Sequence, residues 1–294
     1  MRERAYAKIN LCLDVAGKRD DGYHELKMIM VPIDFYDVLE MIPGQSETSL
    51  SLNRSYLPVN EKNTIIKAIQ IMKETFSFDD HYACVLQKHI PTRAGLAGGS
   101  ADAAAAIRIM DRLLKLHLTR DEMIDIGKKV GADVPFCLLN RPAYVEGIGE
   151  KITPFTCDPD FELLLVKPRK GVSTKEAFAI VDSEDPVHPD CMKMRDALIN
   201  NDYEGVISSL GNSLEEAAVS LVPDIKKVKE ELTEKGFDGV LMSGSGSTVF
   251  GITRDHALLE KAMSEMKEER YFVRRTRIVG SHDHGYYRTR RRYE

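Results

Sequence analysis

No stretch of the chain comes near the roughly 20 unbroken apolar residues that a membrane-spanning helix needs. The amino terminus, Met1-Arg2-Glu3-Arg4-Ala5-Tyr6-Ala7-Lys8, lacks the apolar core of a secretory leader, so a cytoplasmic protein is expected. Cys-x-x-Cys spacing is missing too. The five cysteines, Cys12, Cys84, Cys137, Cys157 and Cys191, are odd in number and scattered, which points to reduced, packed thiols and indicates neither a disulfide framework nor a zinc site. Neither an internal repeat nor a low-complexity stretch is seen. Two common nucleotide signatures are also absent: no Lys-Ser or Lys-Thr pair closes a Walker loop, and the spacing G-x-G-x-x-G does not occur.

What is present is a chain of 294 residues, 43% hydrophobic and 30% charged, a globular composition long enough for two domains. One stretch organises it: Pro91-Thr92-Arg93-Ala94-Gly95-Leu96-Ala97-Gly98-Gly99-Ser100-Ala101, followed by Asp102 and an alanine run that reads as helix. The apolar, β-branched segment from Tyr82 to Ile90 precedes it as a strand. Strand, glycine loop and helix in that order leave unpaired N–H groups at a positive dipole end, where an anion can come close. Taken alone, the loop fits an anion cradle and a tight turn equally.

Upstream, Ala5, Ala7, Ile9, Leu11, Leu13 and Val15 alternate with polar residues as in a half-buried strand, which sends Lys8 and Asn10 together from the opposite face. An Asp-Gly turn then presents Tyr23 and His24, and strands are expected at 26–33 and 38–42. Asn63 opens a helix with Ile65, Ile66, Ile69, Met72 and Phe76 on one side. Thr119 to Glu122 is a capping box whose helix ends at Gly131. Asp133 follows, on a turn that Pro135 is expected to keep non-helical. Turn stabilisation and chemistry are both open to this aspartate.

Linker composition at 153–160 places a domain boundary after residue 156. Beyond it come a strand at 161–166, a second capping box at Ser173 to Glu176 and a loop over 182–190. A helix from Pro223, strands at 240–242 and 248–252 around Ser243-Gly244-Ser245-Gly246-Ser247, a helix at 255–269 and a strand at 271–279 complete an α+β pattern. From Arg270 onward eight arginines stand against Asp283 and Glu294, on a chain whose net charge is −5. A solvated extension and a polyanion-binding tail are both compatible with it.

Three segments together, Ala7-Lys8-Ile9-Asn10-Leu11, Pro91 to Ala101 and Leu241 to Ser247, resemble the signatures of the GHMP kinases, which include galactokinase and homoserine, mevalonate and phosphomevalonate kinases. Asp21-Gly22-Tyr23-His24 and Gly131-Ala132-Asp133-Val134-Pro135 resemble, within that superfamily, the family of kinases that act on 4-diphosphocytidyl-2-C-methyl-D-erythritol. Ala101 stands where a second serine is frequent and Ser247 where a proline is common.

The resemblance implies an α+β fold of two domains, a ribosomal-protein-S5-like domain over 1–156 and a ferredoxin-like α/β sandwich over 157–294 with a basic tail at 281–294. It implies Lys8 and Asp133 as catalytic pair, residues 91–101 as ATP phosphate loop, and Asn10, Tyr23, His24 and Lys88 as substrate-holding residues, with cytosine near Tyr23 and His24. Asp102 is the competing carboxylate. ATP and Mg2+ are the expected cofactors, without an assigned protein ligand for the metal. The partners are ATP and the small-molecule alcohol, with neither membrane nor nucleic acid, in a monomer or weak homodimer. Other readings are a different small-molecule kinase of the superfamily and a nucleotide-binding regulator without catalysis.

Overall fold

The computed structural model describes residues 1–183 and 186–280. The arginine-rich tail over 281–294 therefore lies outside the described residues.

β1 (Arg2–Lys18) and β2 (His24–Pro43) form a long antiparallel hairpin closed by the pair Lys18 and His24. The two expected strands at 26–33 and 38–42 are halves of β2. Irregularities between Tyr6 and Lys8 and between Asn10 and Cys12 interrupt the pairing, and they break the one-face alternation expected for β1. Ala5, Leu13 and Val15 join one apolar cluster while Ala7, Ile9 and Leu11 join another. Both faces of β1 are covered, so Lys8 and Asn10 are 5% and 0% exposed and do not face water as simple alternation implies.

β3 (Ser49–Leu52), α1 (Thr64–Phe76), β4 (Tyr82–Gln87) and α2 (Gly98–Leu114) follow. Asn63 caps α1 by accepting the N–H of Ile65 at 2.9 Å. α2 lies against α1, β1 and β2. Its alanines Ala103, Ala104, Ala105 and Ala106 are completely buried, small side chains that let the helix approach its neighbours closely.

α3 (Arg120–Val130) starts with the expected capping box of Thr119 and Glu122. α4 (Val134–Leu139), β5 (Ala143–Gly147) and β6 (Lys151–Pro154) come next. Asp133 lies on the expected turn, but Val134, which Pro135 is expected to keep out of a helix, starts α4 with Asp133 at its N-cap. Pro135 is accepted because a proline in the first helical turn forfeits no intrahelical bond.

The second half runs β7 (Glu162–Lys167), α5 (Thr174–Val181), α6 (Cys191–Ile199), α7 (Tyr203–Ser208), β8 (Gly211–Asn212), α8 (Glu215–Leu221), α9 (Asp224–Glu234), β9 (Gly239–Met242), β10 (Val249–Thr253), α10 (His256–Glu268) and β11 (Phe272–Thr276). Ser173 precedes α5, but its side chain makes no capping hydrogen bond, so the second capping box is not formed.

Two sheets result. One has the order β3-β4-β2-β1-β8, with β5 paired to β2 and β6 to β5; the other has the order β11-β7-β10-β9 and is antiparallel throughout. Numbered within their own domain, the four strands of the second sheet run 4-1-3-2, with α9 and α10 packed on them, which is the ferredoxin-like arrangement. β8 leaves that half to lie parallel to β1 at Cys12 and Leu13. Both apolar clusters draw side chains from both halves.

The expectation of five unpaired thiols is corrected by a disulfide between Cys12 and Cys191, 179 residues apart in sequence. Spacing cannot reveal a contact made where α6 packs against β1. The remaining cysteines are free and buried; burial pushes the thiols of Cys84 and Cys157 up to about 12. Denatured protein without reductant is expected to titrate three thiols, and five after reduction. Reduction should lower Tm by several degrees, since a long closed loop stabilises by about 2–4 kcal/mol. Five thiols before reduction would show that the bond does not form.

Candidate active site

A loop that offers its N–H groups to an anion has to place its carbonyls elsewhere, and the loop over 91–101 does so. Ala94 O accepts from Thr248 N at 3.2 Å, Gly95 O from Ser243 Oγ at 3.1 Å, Leu96 O from Lys8 N at 3.2 Å and Gly99 O from Thr64 Oγ1 at 2.7 Å. Positive φ at Arg93, Gly95 and Ala97 recurs at every second residue, an alternation that turns successive N–H groups to one side. The first-turn amides of α2 add to them, because they have no helical partner. Gly95 is required twice over: its φ is +73°, and an added Cβ would lie 1.9 Å from Ser243 O.

The glycines at 244 and 246 bring a second loop against the first. A Cβ on Gly244 would lie 3.1 Å from Gly95 O and 3.3 Å from both Asn10 Oδ1 and Lys8 Nζ. Asn212 holds this loop in place, donating to Met242 O at 2.9 Å and Gly244 O at 2.8 Å. Ser247, where a proline is common, donates to Lys170 O at 2.6 Å.

Lys8 stands where these pieces meet. Its ammonium donates to Asn10 Oδ1 at 2.7 Å and lies 3.8 Å from Asp133 Oδ2. The lysine side chain is 6% exposed and the aspartate 37%, so the cation is fixed while the carboxylate looks into the cleft. Asn10 spends its amide on Lys8 and on Met28 Sδ and is itself fully buried.

The surrounding cleft measures about 1270 Å³ and brings together the expected site residues, with one departure. Ala101 is turned inward and lines no part of it. Tyr23 is 60% exposed at the rim. His24 is engaged: Nε2 meets Asp182 Oδ1 at 2.6 Å, and the ring stacks on Phe178 with centroids 4.6 Å apart. Lys18 also donates to Asp182 at 2.6 Å, and these two bonds hold the Asp182 carboxyl below its usual range.

Phe178, Asp182 and Thr174, whose hydroxyl meets Ser245 Oγ at 2.8 Å, form a cleft wall that motif reading does not find. The signal available was their spacing of four along α5, which puts them on one helix face.

Lys88 lines the cleft yet is 3% exposed, its ammonium donating to Asp37 and, at 2.7 Å, to Asp102. Burial pushes the Asp102 carboxyl up to about 8, with Lys88 opposing the rise and Asp37 adding to it. A carboxyl that is 3% exposed, bound to Lys88 and no part of the cleft lining does not compete with Asp133 as a base.

Models of the GHMP kinase N-terminal and C-terminal domains match residues 63–141 and 194–271. Proteins named 4-diphosphocytidyl-2-C-methyl-D-erythritol kinase from Clostridium botulinum (strain Alaska E43 / Type E3) and Geobacillus sp. (strain WCH70) are each 41% identical to this chain, over 94% of it and 99% and 96% of their own lengths. The chain belongs to the 4-diphosphocytidyl-2-C-methyl-D-erythritol kinase family of the GHMP kinases.

A crystal structure of a 4-(cytidine 5'-diphospho)-2C-methyl-D-erythritol kinase is similar with a TM-score of 0.79 and 29% identity, covering 95% of this chain and all of that one. Homoserine kinase from Cytophaga hutchinsonii, at a TM-score of 0.71 and 18% identity over 93% of this chain and 94% of its own, shares the fold.

Gly98→Val tests the cradle. A Cβ at Gly98 would meet Ile90 Cγ2 at 2.9 Å, so it points into the protein and not at the anion, and the fold is not expected to escape. ATP affinity should fall together with stability, the latter by about 1–3 kcal/mol from overpacking. Calorimetry and thermal melts decide it; wild-type ATP affinity would leave the loop as a turn without a ligand.

Proposed function

We propose that the cleft transfers the γ-phosphoryl group of ATP to the 2-hydroxyl of 4-diphosphocytidyl-2-C-methyl-D-erythritol, a step of the non-mevalonate route to isoprenoid precursors. The observation that carries the reading is the pair of Lys8 and Asp133, 3.8 Å apart and facing the phosphate loop across one cleft, in a chain of this kinase family. A nucleotide-binding regulator has no use for that pair, and nothing in the cleft favours a smaller alcohol.

Phosphoryl transfer asks for in-line positioning and neutralisation of charge, with little covalent work for the protein. The loop amides hold the ATP phosphates, and Lys8 stabilises charge on the transferring group. Asp133 orients the hydroxyl and accepts its proton as the O–H bond breaks, the new P–O bond forms and the bond from the γ-phosphorus to the β–γ bridging oxygen breaks to release ADP. In a loose transition state the proton leaves late, so position matters more than basicity. Magnesium enters as the counter-ion of ATP. Among the described residues no group of three or more His, Cys, Asp or Glu side chains is placed to hold a metal.

Tyr23 and His24 take the cytosine end, and Asn10 acts by fixing Lys8. No helix among the described residues is long and apolar enough to cross a membrane. A cytoplasmic monomer or weak homodimer, with no nucleic-acid partner, fits the small-molecule chemistry.

Asp133→Asn and Lys8→Met are each expected to lower kcat by on the order of 10²-fold or more, and the double variant by little beyond either single one, because groups that act as a unit are non-additive. Stability should hold for Asp133→Asn, whose side chain is 37% exposed, while Lys8→Met leaves the buried Asn10 Oδ1 without its donor and should lose about 1–3 kcal/mol. Single-turnover phosphorylation with parallel melts reads both. Near-normal turnover of Asp133→Asn would remove the residue from the chemistry.

Tyr23→Ala should weaken binding of the cytidyl substrate by roughly 1–3 kcal/mol, the scale of one lost base-stacking contact, and leave ATP binding alone. An unchanged substrate Kd would place the base elsewhere.

A further inference from the structure

Three charged side chains lie together beneath the phosphate loop: Lys88 and Asp102, each 3% exposed, and Asp37, with no exposed surface. They come from three parts of the chain: Asp37 from β2, Lys88 from the residue directly after β4 and Asp102 from near the start of α2. The Lys88 ammonium donates to Asp102 Oδ2 at 2.7 Å and to Asp37 Oδ2. Asp37 Oδ1 accepts the backbone N–H groups of His89 and, at 2.9 Å, Ile90. Asn53 holds the lysine backbone, accepting from Lys88 N at 2.8 Å and donating to Lys88 O at 3.3 Å.

These bonds fix both ends of the loop. Asp37 ties the segment entering it, Asp102 ties the helix leaving it, and Lys88 joins the two carboxyls. A Cβ on Gly98 would lie 3.2 Å from Lys88 Nζ, so the ammonium sits directly under the first residue of α2. A lysine with its ammonium in two buried charge-assisted bonds and its main chain bonded on both sides cannot swing out to an alcohol without leaving two carboxyls uncompensated.

We propose that Asp37, Lys88 and Asp102 form a brace that keeps the phosphate loop and the first turn of α2 in their anion-binding shape, which makes Lys88 and Asp102 positioning residues for the nucleotide and not contacts for the alcohol. The brace rests on the nucleotide reading given above. It works through the backbone: the amides that face the phosphates keep their direction because the residues before and after them are tied to one buried cation.

Three variants test it, with a non-hydrolysable ATP analogue in calorimetry and steady-state kinetics on 4-diphosphocytidyl-2-C-methyl-D-erythritol. Asp102→Leu keeps Lys88 paired with Asp37, so the buried charges stay balanced and the fold is retained. Its Kd and KM for the nucleotide should rise on the order of 10-fold or more, the scale of a misplaced site, while KM for the alcohol stays within about twofold. Asp102→Asn keeps an oxygen toward the ammonium and should recover most of the nucleotide affinity. Lys88→Met should resemble Asp102→Leu; if it fails to fold, Asp102→Leu decides alone.

A raised KM for the alcohol with unchanged nucleotide affinity would return Lys88 to the substrate pocket and overturn the brace. So would nucleotide affinity indifferent to Asp102→Leu, or an Asp102→Asn variant as impaired as Asp102→Leu. A wild-type protein that binds no ATP analogue would overturn the nucleotide reading first and the brace with it.

Discussion

An anion cradle made of backbone depends on where its carbonyls go. Each residue carries an acceptor beside its donor, and a loop whose carbonyls stayed free would present mixed polarity to a phosphate. Here the carbonyls of Ala94, Gly95, Leu96 and Gly99 accept from Thr248, Ser243, Lys8 and Thr64. The donors come from β1, the start of α1 and the segment between β9 and β10. The shape of the loop is therefore tied to tertiary structure, because its carbonyls are held by donors from both halves of the chain.

The same constraint explains why Lys8 is where it is. Lys8 donates its main-chain N–H to Leu96 O and its ammonium to Asn10, and it stands near Asp133. One residue of β1 thus sets the loop's direction with its backbone and offers charge with its side chain. The interruptions of β1 on either side of it allow this, since a regular strand between two apolar layers would send every side chain into one core or the other. An ammonium that is 6% exposed is tolerable because polar groups meet it at close range.

These dependencies account for what could and could not be read from sequence. The capping box at Thr119, the cap at Asn63, the glycine loop with its helix and the strand-helix alternation of the last third were legible, because each rests on residues within a few positions of one another. α6, α7 and α8 were not foreseen, although Asp190 and Asp202 cap the first two. Their amphipathic stretches are short, and short helices owe their stability to packing more than to propensity. The single-face reading of β1 failed because sequence alternation does not register an inserted bulge. Lys88 could be placed near the site, but its two carboxylate partners lie 51 residues before it and 14 after it. The bond between Cys12 and Cys191 was invisible for the same reason.

The two halves also differ in what they contribute to the cleft. The first sheet and its helices supply Lys8, Asp133 and the phosphate loop, all fixed by main-chain bonds or burial. The second half supplies α5, whose Thr174 meets Ser245 of the same half, while Phe178 and the C-cap Asp182 reach across by side chains alone to the His24 ring and to the hairpin residues Lys18 and His24. Charge-assisted bonds at an exposed rim are worth little each and can exchange with a ligand, whereas bonds made by buried backbone cannot. A cleft built this way has one end of fixed shape, suited to the phosphates common to every turnover. The other end is joined by side-chain contacts at the rim, each of which can exchange, and Lys8 and Asp133 line the same cleft.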